Sequence, residues 1–255
     1  MKNRDSAGHF FCSAGYELIQ YWAKISVQDG GVFMVGLLRA ACGAVAVVVL
    51  AWAPMVHADQ DDLAKESRAF IENLTEMAIA QLTDPALPMT EQEARFREIT
   101  RKYFAFKSIA RWVLGGRSWN RAEETQRERY LGLFEDLMVA TYAHRFQGYS
   151  GEQLKVANTK IISDDQAMVE TELLRAGADV PLRIDWRVRK TDDSFRIIDI
   201  MVAGLSMAQT QRAEFSSFLR ANDNDLEALM HNLETRLEKA RADRAAGTQE
   251  AATKS

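Results

Sequence analysis

Residues 180–190 read VPLRIDWRVRK, and their alternation decides the class of fold. Two sets of side chains alternate along this stretch, apolar Leu182, Ile184, Trp186, Val188 and charged Arg183, Asp185, Arg187, Arg189. Successive side chains of a strand point to opposite faces of a sheet, so the stretch predicts a strand with one covered and one wet face. A sheet of this kind is usually antiparallel.

Three neighbouring segments are also short, β-rich and separated by turn residues. They read LKVANTKII at 154–162, QAMVETELL at 166–174 and FRIIDIMV at 195–202. The residues KTDDSF between the last two strands are typical of a hairpin loop. The four segments together predict a four-stranded antiparallel meander.

Helical periodicity lies on both sides of these strands. Apolar residues recur every three or four positions over the ranges 59–82, 90–103, 106–115, 122–149, 207–221 and 225–240. Helices, then strands, then helices indicate an α+β fold, with about six to seven helices covering the sheet. A single domain is predicted over 59–240, followed by a disordered tail at 241–255 that is rich in charged and small residues.

The most apolar stretch, AACGAVAVVVLAWAPMVHADQ at 40–60, lies some forty residues into the chain. Residues 34–58 have a short basic start, an apolar centre and small residues before Ala58, which predicts a signal peptide cut after Ala58 and export to the periplasm. An uncleaved anchor is the alternative, although the run is at the short limit for a bilayer. Residues 1–33 are then either upstream of the true start at Met34 or a disordered extension.

Removal of residues 1–58 takes both cysteines with it and leaves 197 residues with 28 basic and 33 acidic side chains. A net charge of −5 argues against a nucleic-acid partner and against adhesion to an anionic membrane surface by charge alone. The remaining chain has no cysteine for a disulfide or a thiolate metal site.

Nothing in the remaining chain resembles a catalytic centre. His144 and His231 each stand alone among charged neighbours, and none of the common nucleophile, zinc or phosphate-loop motifs occurs. Glu135 and Asp136 are consecutive, about 100° apart on a helix, and so do not form a carboxylate pair. The sequence therefore predicts neither an enzyme nor a metal site or cofactor.

Three motifs resemble the MlaC family, also called toluene-tolerance or ABC-transporter auxiliary proteins. They are FIENLTEMAIAQLTD at 70–84, the run from YFAFKSIARWVLG to AHRF at 103–146, and FRIIDIMVAGLSMAQTQRAEFSSFL at 195–219. The resemblance covers nearly all of residues 60–240 in order. Two departures stand out, since Gln211 replaces a common aromatic residue and Asn222-Asp223 replaces a glycine turn.

The resemblance implies a curved sheet covered by helices and a carrier of glycerophospholipid across the periplasm. Its implied partners are an outer-membrane lipoprotein complex and an inner-membrane transporter that has an MCE-domain subunit and an ATPase. A related branch, HpnM, is associated with hopanoids, so the ligand could instead be a hopanoid. Two further functions stay open, namely a transporter adaptor that binds no lipid and an enzyme of lipid metabolism with a scattered site.

The apolar faces of the helices and the sheet are wide enough either for a packed core or for an incompletely closed apolar pocket. On the second interpretation, the lipid-binding residues are those on the faces expected to meet. They are Phe70, Leu74, Met77, Trp112, Val113, Phe134, Leu137, Met138, Tyr142, Leu182, Ile184, Trp186, Val188 and Phe215.

Overall fold

The structure is a computed structural model that describes residues 55–253, apart from residue 193. The predicted extension at 1–33 and most of the predicted signal peptide at 34–58 lie outside the described residues. The first helix, α1, spans Met55–Leu82, so its backbone is helical across the predicted cut after Ala58. Among residues 55–253, no helix combines the length and the apolarity that crossing a bilayer demands.

Four more helices precede the sheet. They are α2 (Met89–Tyr103), α3 (Phe106–Leu114), α4 (Gly116–Arg121) and α5 (Glu124–Tyr142), and a 3₁₀ helix (Ala143–Gly148) continues α5. The short α4 was not predicted, and the single helix predicted to residue 149 tightens after Tyr142. Gly115 separates α3 from α4 with a φ of 89°, a conformation that glycine adopts without steric cost.

The sheet has five antiparallel strands in sequential order, where four were predicted. They are β1 (Gln153–Ser163), β2 (Gln166–Leu174), β3 (Leu182–Lys190), β4 (Phe195–Val202) and β5 (Leu205–Ser206). The additional strand arises because Ala203 and Gly204, both with positive φ, turn the chain back on β4. Bulges in β1 and at the β3–β4 pairing interrupt the register, and bulges bend strands.

Two helices follow the sheet, α6 (Met207–Ala221) and α7 (Leu226–Thr253). Ser206 caps α6, because its hydroxyl accepts a hydrogen bond from the Gln209 amide at 3.0 Å. The last helix continues well past residue 240, where the sequence predicts its end and a disordered tail. Five of the thirteen residues from 241 to 253 are alanine, whose high helix propensity favours continuation of α7.

Buried apolar side chains form two separate clusters. The helical cluster consists of Ala110, Val113, Leu114, Tyr130, Phe134, Leu137, Phe215, Leu219, Leu229, Met230 and Leu233. The sheet cluster consists of Leu63, Ile71, Leu74, Leu82, Ile99, Ala167, Val169, Val188, Phe195 and Ile197. Helix α1 packs on β1, β2 and β3, whereas α5 packs chiefly on α7.

Charged side chains connect the helices of the two clusters. Arg101 of α2 donates two hydrogen bonds to the Glu135 carboxylate of α5, at 2.6 and 2.7 Å. Arg97 reaches both Glu135, at 3.2 Å, and Asp136, at 2.7 Å. Burial alone raises the pKa of Glu135, but hydrogen bonds and positive charge from Arg101 and Arg97 outweigh it and hold the pKa below its ordinary value.

The charged face of β3 is less exposed to water than its alternating sequence predicts. Asp185 is only 2% exposed, because Arg183 lies over it and donates from Nε to both carboxylate oxygens at 2.9 Å. Arg183 and Lys160 also bind Glu170, at 2.9 and 2.6 Å. The hydrogen bond from Lys160 is the main cause that lowers the pKa of Glu170. Mutual ion pairing therefore removes part of this face from water.

Candidate functional site

Strand pairing arranges the inner face of the sheet, which is the face toward α1, in four rows across the strands. The first row is Ile161, Ala167, Val188 and Ile197. The second row is Thr159, Val169, Trp186 and Ile200. The third row is Val156, Thr171, Ile184 and Val202, and the fourth is Leu154, Leu173 and Leu182.

Burial decreases from the first row to the fourth. In the first row Ala167, Val188 and Ile197 are at most 1% exposed, because the sheet cluster covers them. In the third and fourth rows every apolar member is half-buried. The inner face therefore has a closed end and an open end, and the open end presents apolar side chains that the fold leaves partly covered.

Trp186 marks the boundary between the two ends. Its indole Nε1 donates to the Thr171 hydroxyl at 3.1 Å, and that hydroxyl in turn donates to the Ile184 carbonyl at 2.5 Å. Buried indole and hydroxyl groups need such partners, so the hydrogen bonds fix the orientation of the ring. The ring of Trp186 thus packs against the sheet cluster, whereas Ile184 and Val202 of the third row do not.

Two buried hydroxyls near the sheet cluster lack a hydrogen-bond partner among the described residues. One is Ser67 Oγ, on the same face of α1 as Leu63 and Ile71, and the other is Thr159 Oγ1 in the second row. A buried polar group without a partner costs about 1–3 kcal/mol. A bound ligand with acceptor oxygens, or a water molecule, would recover that free energy.

Two cavities of the described residues are small. Their volumes are about 70 and 110 Å³, whereas ligand pockets commonly have roughly 300–1,000 Å³. The larger one is lined by Ala157, Glu170, Thr171, Glu172 and Arg183, and the three charged side chains belong to the outer face of the sheet. Neither cavity lies between the sheet and α1, where the sequence predicts an apolar pocket, and α1 packs directly on the closed end of the inner face.

The fourteen predicted lining residues fall into three groups rather than around one cavity. The sheet cluster includes Leu74 and Val188, with Phe70, Met77 and Trp186 packed against it. The helical cluster includes Val113, Phe134, Leu137 and Phe215, with Met138 packed against it. Outside both clusters lie Trp112, Tyr142, Leu182 and Ile184.

Met138 corrects the expectation that α5 faces the sheet. It packs on the helical cluster, and α5 makes its main contacts with α7 rather than with β3. Trp112 is 46% exposed on α3, with the Arg212 guanidinium over its ring. Tyr142 lies near the charges of Glu214 and Arg236, and burial raises the pKa of its phenol. Helical periodicity indicates that a face is buried, but it does not identify the partner.

The structure adds residues that the sequence interpretation left out. Leu154, Val156, Leu173 and Val202 complete the third and fourth rows beside Leu182 and Ile184. The alternation in QAMVETELL already contained part of this signal, because Ala167, Val169, Thr171 and Leu173 share one face. Ser67 gave no signal, since a serine among apolar neighbours does not reveal whether its hydroxyl has a partner.

These observations define an α+β domain in which helices cover one end of the apolar face of an antiparallel sheet. The family model described as MlaC protein matches residues 72–235, and the chain belongs to the MlaC family.

A solved structure supports the fold. It is the phospholipid-binding protein from Ralstonia solanacearum, determined in complex with a phospholipid at 1.53 Å resolution. The two chains are 19% identical and superpose with a TM-score of 0.60, over 69% of this chain and 99% of the other. At this identity the likeness shows the shared fold alone.

Proposed function

We propose that this protein is a periplasmic carrier of glycerophospholipid and that the acyl chains lie along the inner face of the sheet. The open end of that face, with its half-buried third and fourth rows, is the observation that carries the proposal. Membership of the MlaC family and the phospholipid held by the Ralstonia protein of similar fold support it.

The energetics explain why such a carrier is needed and why it requires no catalytic group. A buried methylene contributes about 0.8 kcal/mol, so a chain of about 16 carbons in water costs roughly 13 kcal/mol. A carrier must replace most of that apolar environment and leave the headgroup in water. An apolar surface with one closed and one open end meets both requirements.

We propose that loading moves α1 away from the sheet, because α1 packs directly on the closed end of the inner face. The sheet cluster then exchanges side-chain contacts for contacts with the lipid. Shuttling between an outer-membrane lipoprotein complex and an inner-membrane MCE transporter is the route we propose for the loaded carrier.

The test is the lipid content of the protein purified after expression of the complete chain. Organic extraction and mass spectrometry should find about one phospholipid per chain. We expect Ile184→Asn, in the third row, to lose more than half of this lipid while its unfolding temperature changes by only a few degrees. Ile162→Asn is the matched control, since Ile162 is exposed on β1 and belongs to no row.

Three results would contradict the proposal. A folded wild-type protein without stoichiometric lipid excludes the carrier function. Equal lipid in Ile184→Asn and Ile162→Asn places the ligand away from the open end. Hopanoid in place of phospholipid keeps the carrier but changes its ligand class.

A further inference from the structure

The last turn of α2 together with α3 and α4 forms the stretch with the most one-sided charge in the described chain. Residues 99–122 contain six basic side chains and no acidic one, although the whole chain has a net charge of −4. Salt screens exposed charges beyond about 8 Å at physiological ionic strength, so acidic groups elsewhere do not cancel this local excess. The net charge alone therefore gives a misleading account of what this surface attracts.

Most of these cations have no acidic partner. Lys107 on α3, and Arg117 and Arg121 on α4, are exposed and form no ion pair among the described residues. The next acidic side chains along the sequence are already engaged, since Glu123 forms a capping box and Glu124 pairs with Arg127 at 3.2 Å. By contrast, most arginines elsewhere in the described chain pair with carboxylates.

Trp112 is an exposed apolar group on α3, the helix that also carries Lys107. Its side chain is 46% exposed on α3, and the Arg212 guanidinium lies 4.6 Å from the ring centre. Arg212 also donates to the Trp112 carbonyl, which holds the cation against the ring. Tryptophan has a large apolar ring and a polar N–H group, and it is enriched at membrane–water interfaces.

Arg117 and Arg121 also share a concave site. They line the cavity of about 70 Å³ together with Ser118, Gln126 and Asn224, and every polar side chain in this lining is neutral or cationic. Arginine binds phosphate oxygens through paired N–H groups, and the neighbouring side chains supply further donors. The cavity therefore offers an acidic group a place beside the guanidinium groups of Arg117 and Arg121, whereas the Gln126 amide already donates to Glu227 at 2.9 Å.

From these features we infer that the α3–α4 surface docks the protein on a membrane through anionic lipid headgroups. The cations attract phosphate groups, and Trp112 enters the interfacial region beside them. A cationic surface with an exposed tryptophan favours a lipid surface over an acidic protein segment. This inference is independent of the cargo proposed above, because none of its residues lies in the four rows.

Vesicle flotation with the protein purified after expression of the complete chain tests this inference. We expect binding to vesicles of phosphatidylglycerol and phosphatidylcholine, weak binding to phosphatidylcholine alone, and release at high salt. The triple variant Lys107→Gln, Arg117→Gln, Arg121→Gln should bind on the order of 100-fold more weakly, since each basic residue near an anionic surface contributes roughly fivefold.

The matched control removes the same charge from another surface, through Lys155→Gln, Arg175→Gln and Arg220→Gln. These three side chains are exposed and form no ion pair among the described residues. The control should bind within about twofold of wild type. Both variants carry the same N-terminal segment, so any membrane affinity of that segment cancels between them.

Equal binding of the two triple variants to anionic vesicles would overturn the inference. A wild-type protein that does not bind anionic vesicles would also overturn it. Retention on an acidic protein partner without vesicle binding would also overturn it. Lipid content measured on the same samples separates this test from that of the cargo, because the triple variant should keep its lipid whether or not it binds vesicles.

Discussion

The helical cluster and the sheet cluster are similar in composition but differ in how completely they are closed. In the helical cluster the large side chains are fully buried, and Tyr130 donates its hydroxyl to the Ala110 carbonyl at 2.9 Å. Burial accordingly raises the pKa of the Tyr130 phenol. Next to the sheet cluster the buried hydroxyls of Ser67 and Thr159 lack partners among the described residues, and the apolar side chains beyond Trp186 are only half-buried.

This difference indicates that the two clusters have different roles within one domain. A cluster without unmet hydrogen bonds gains nothing from rearrangement, so the helical cluster supplies the stability of the fold. A cluster with unmet hydrogen bonds and a half-covered edge has less to lose when a ligand replaces its contacts. We therefore expect substitutions in the two clusters to separate stability from ligand binding.

The largest expected effect comes from truncating a leucine to alanine, once in the helical cluster and once at the open end of the inner face. Leu233→Ala removes a fully buried side chain of the helical cluster and should lower the free energy of unfolding by about 2–5 kcal/mol. Leu182→Ala, in the fourth row, should lower it by less than about 1 kcal/mol, because a half-exposed side chain leaves little cavity. Urea denaturation of both variants gives the values. Equal losses would show that the open end is as tightly packed as the helical cluster.

The next effect concerns the charged connection between the clusters. Glu135→Gln removes the charge that Arg101 and Arg97 share, and we expect a loss of roughly 1–2 kcal/mol at pH 7. The folded-state pKa of Glu135 lies below its ordinary value, so its contribution is full above the unfolded pKa. That contribution disappears as the pH falls through the folded-state pKa.

Denaturation of wild type and Glu135→Gln at neutral and acidic pH measures this dependence. The two proteins should become more alike in stability as the medium is acidified below about pH 4, the ordinary range of a glutamate. A stability difference that is constant with pH would mean that shape, not charge, is what Glu135 contributes.

A smaller effect is expected at the boundary between the closed and open ends. Trp186→Phe removes the indole hydrogen bond to Thr171 and should cost about 1 kcal/mol. A double-mutant cycle with Thr171→Val isolates this bond, and the coupling should be about 0.5–1 kcal/mol. Zero coupling would indicate that the indole is not held by Thr171, and the boundary would then lie elsewhere.

The smallest effect is a gain in stability, and it compares two turns. Ala203 beside the open end has a φ of 50°, so Ala203→Gly should stabilise the protein by about 0.5–1 kcal/mol. Asn224 before α7 has a φ of 58°, but asparagine tolerates this region, and Asn224→Gly should change stability by only a few tenths of a kcal/mol. Thermal unfolding of both variants measures these changes in stability. A larger gain for Asn224→Gly than for Ala203→Gly would contradict the strain assigned to Ala203.

The sequence predicted the strands well and the helical contacts poorly, for a physical reason. In VPLRIDWRVRK the alternation indicates directly which side chains share a face, and strand pairing then aligns them with neighbours. A helical stripe carries no information on its partner, so Met138 was expected at the sheet although it packs on the helical cluster. The burial of Asp185 was equally invisible, since it depends on the conformation of Arg183.

The candidate site could be predicted only in part for the same reason. Leu182, Ile184 and Trp186 were recognised from β3 alone, whereas Leu154 and Val202 belong to the rows only through the pairing register. The departure at Asn222-Asp223 is also explained. Asp223 and Asn224 occupy the positive-φ positions that a glycine turn would otherwise provide, and short polar side chains tolerate them.

The spacing of the rows has a kinetic consequence for any chain that slides along them. Neighbouring rows are two residues apart, or about 6.6 Å along the strands. A sliding hydrocarbon would leave the driest row first and pass progressively wetter ones before release. The work of extraction would then be distributed over several small steps, each with a lower barrier than a single detachment, so tight retention and rapid delivery need not conflict.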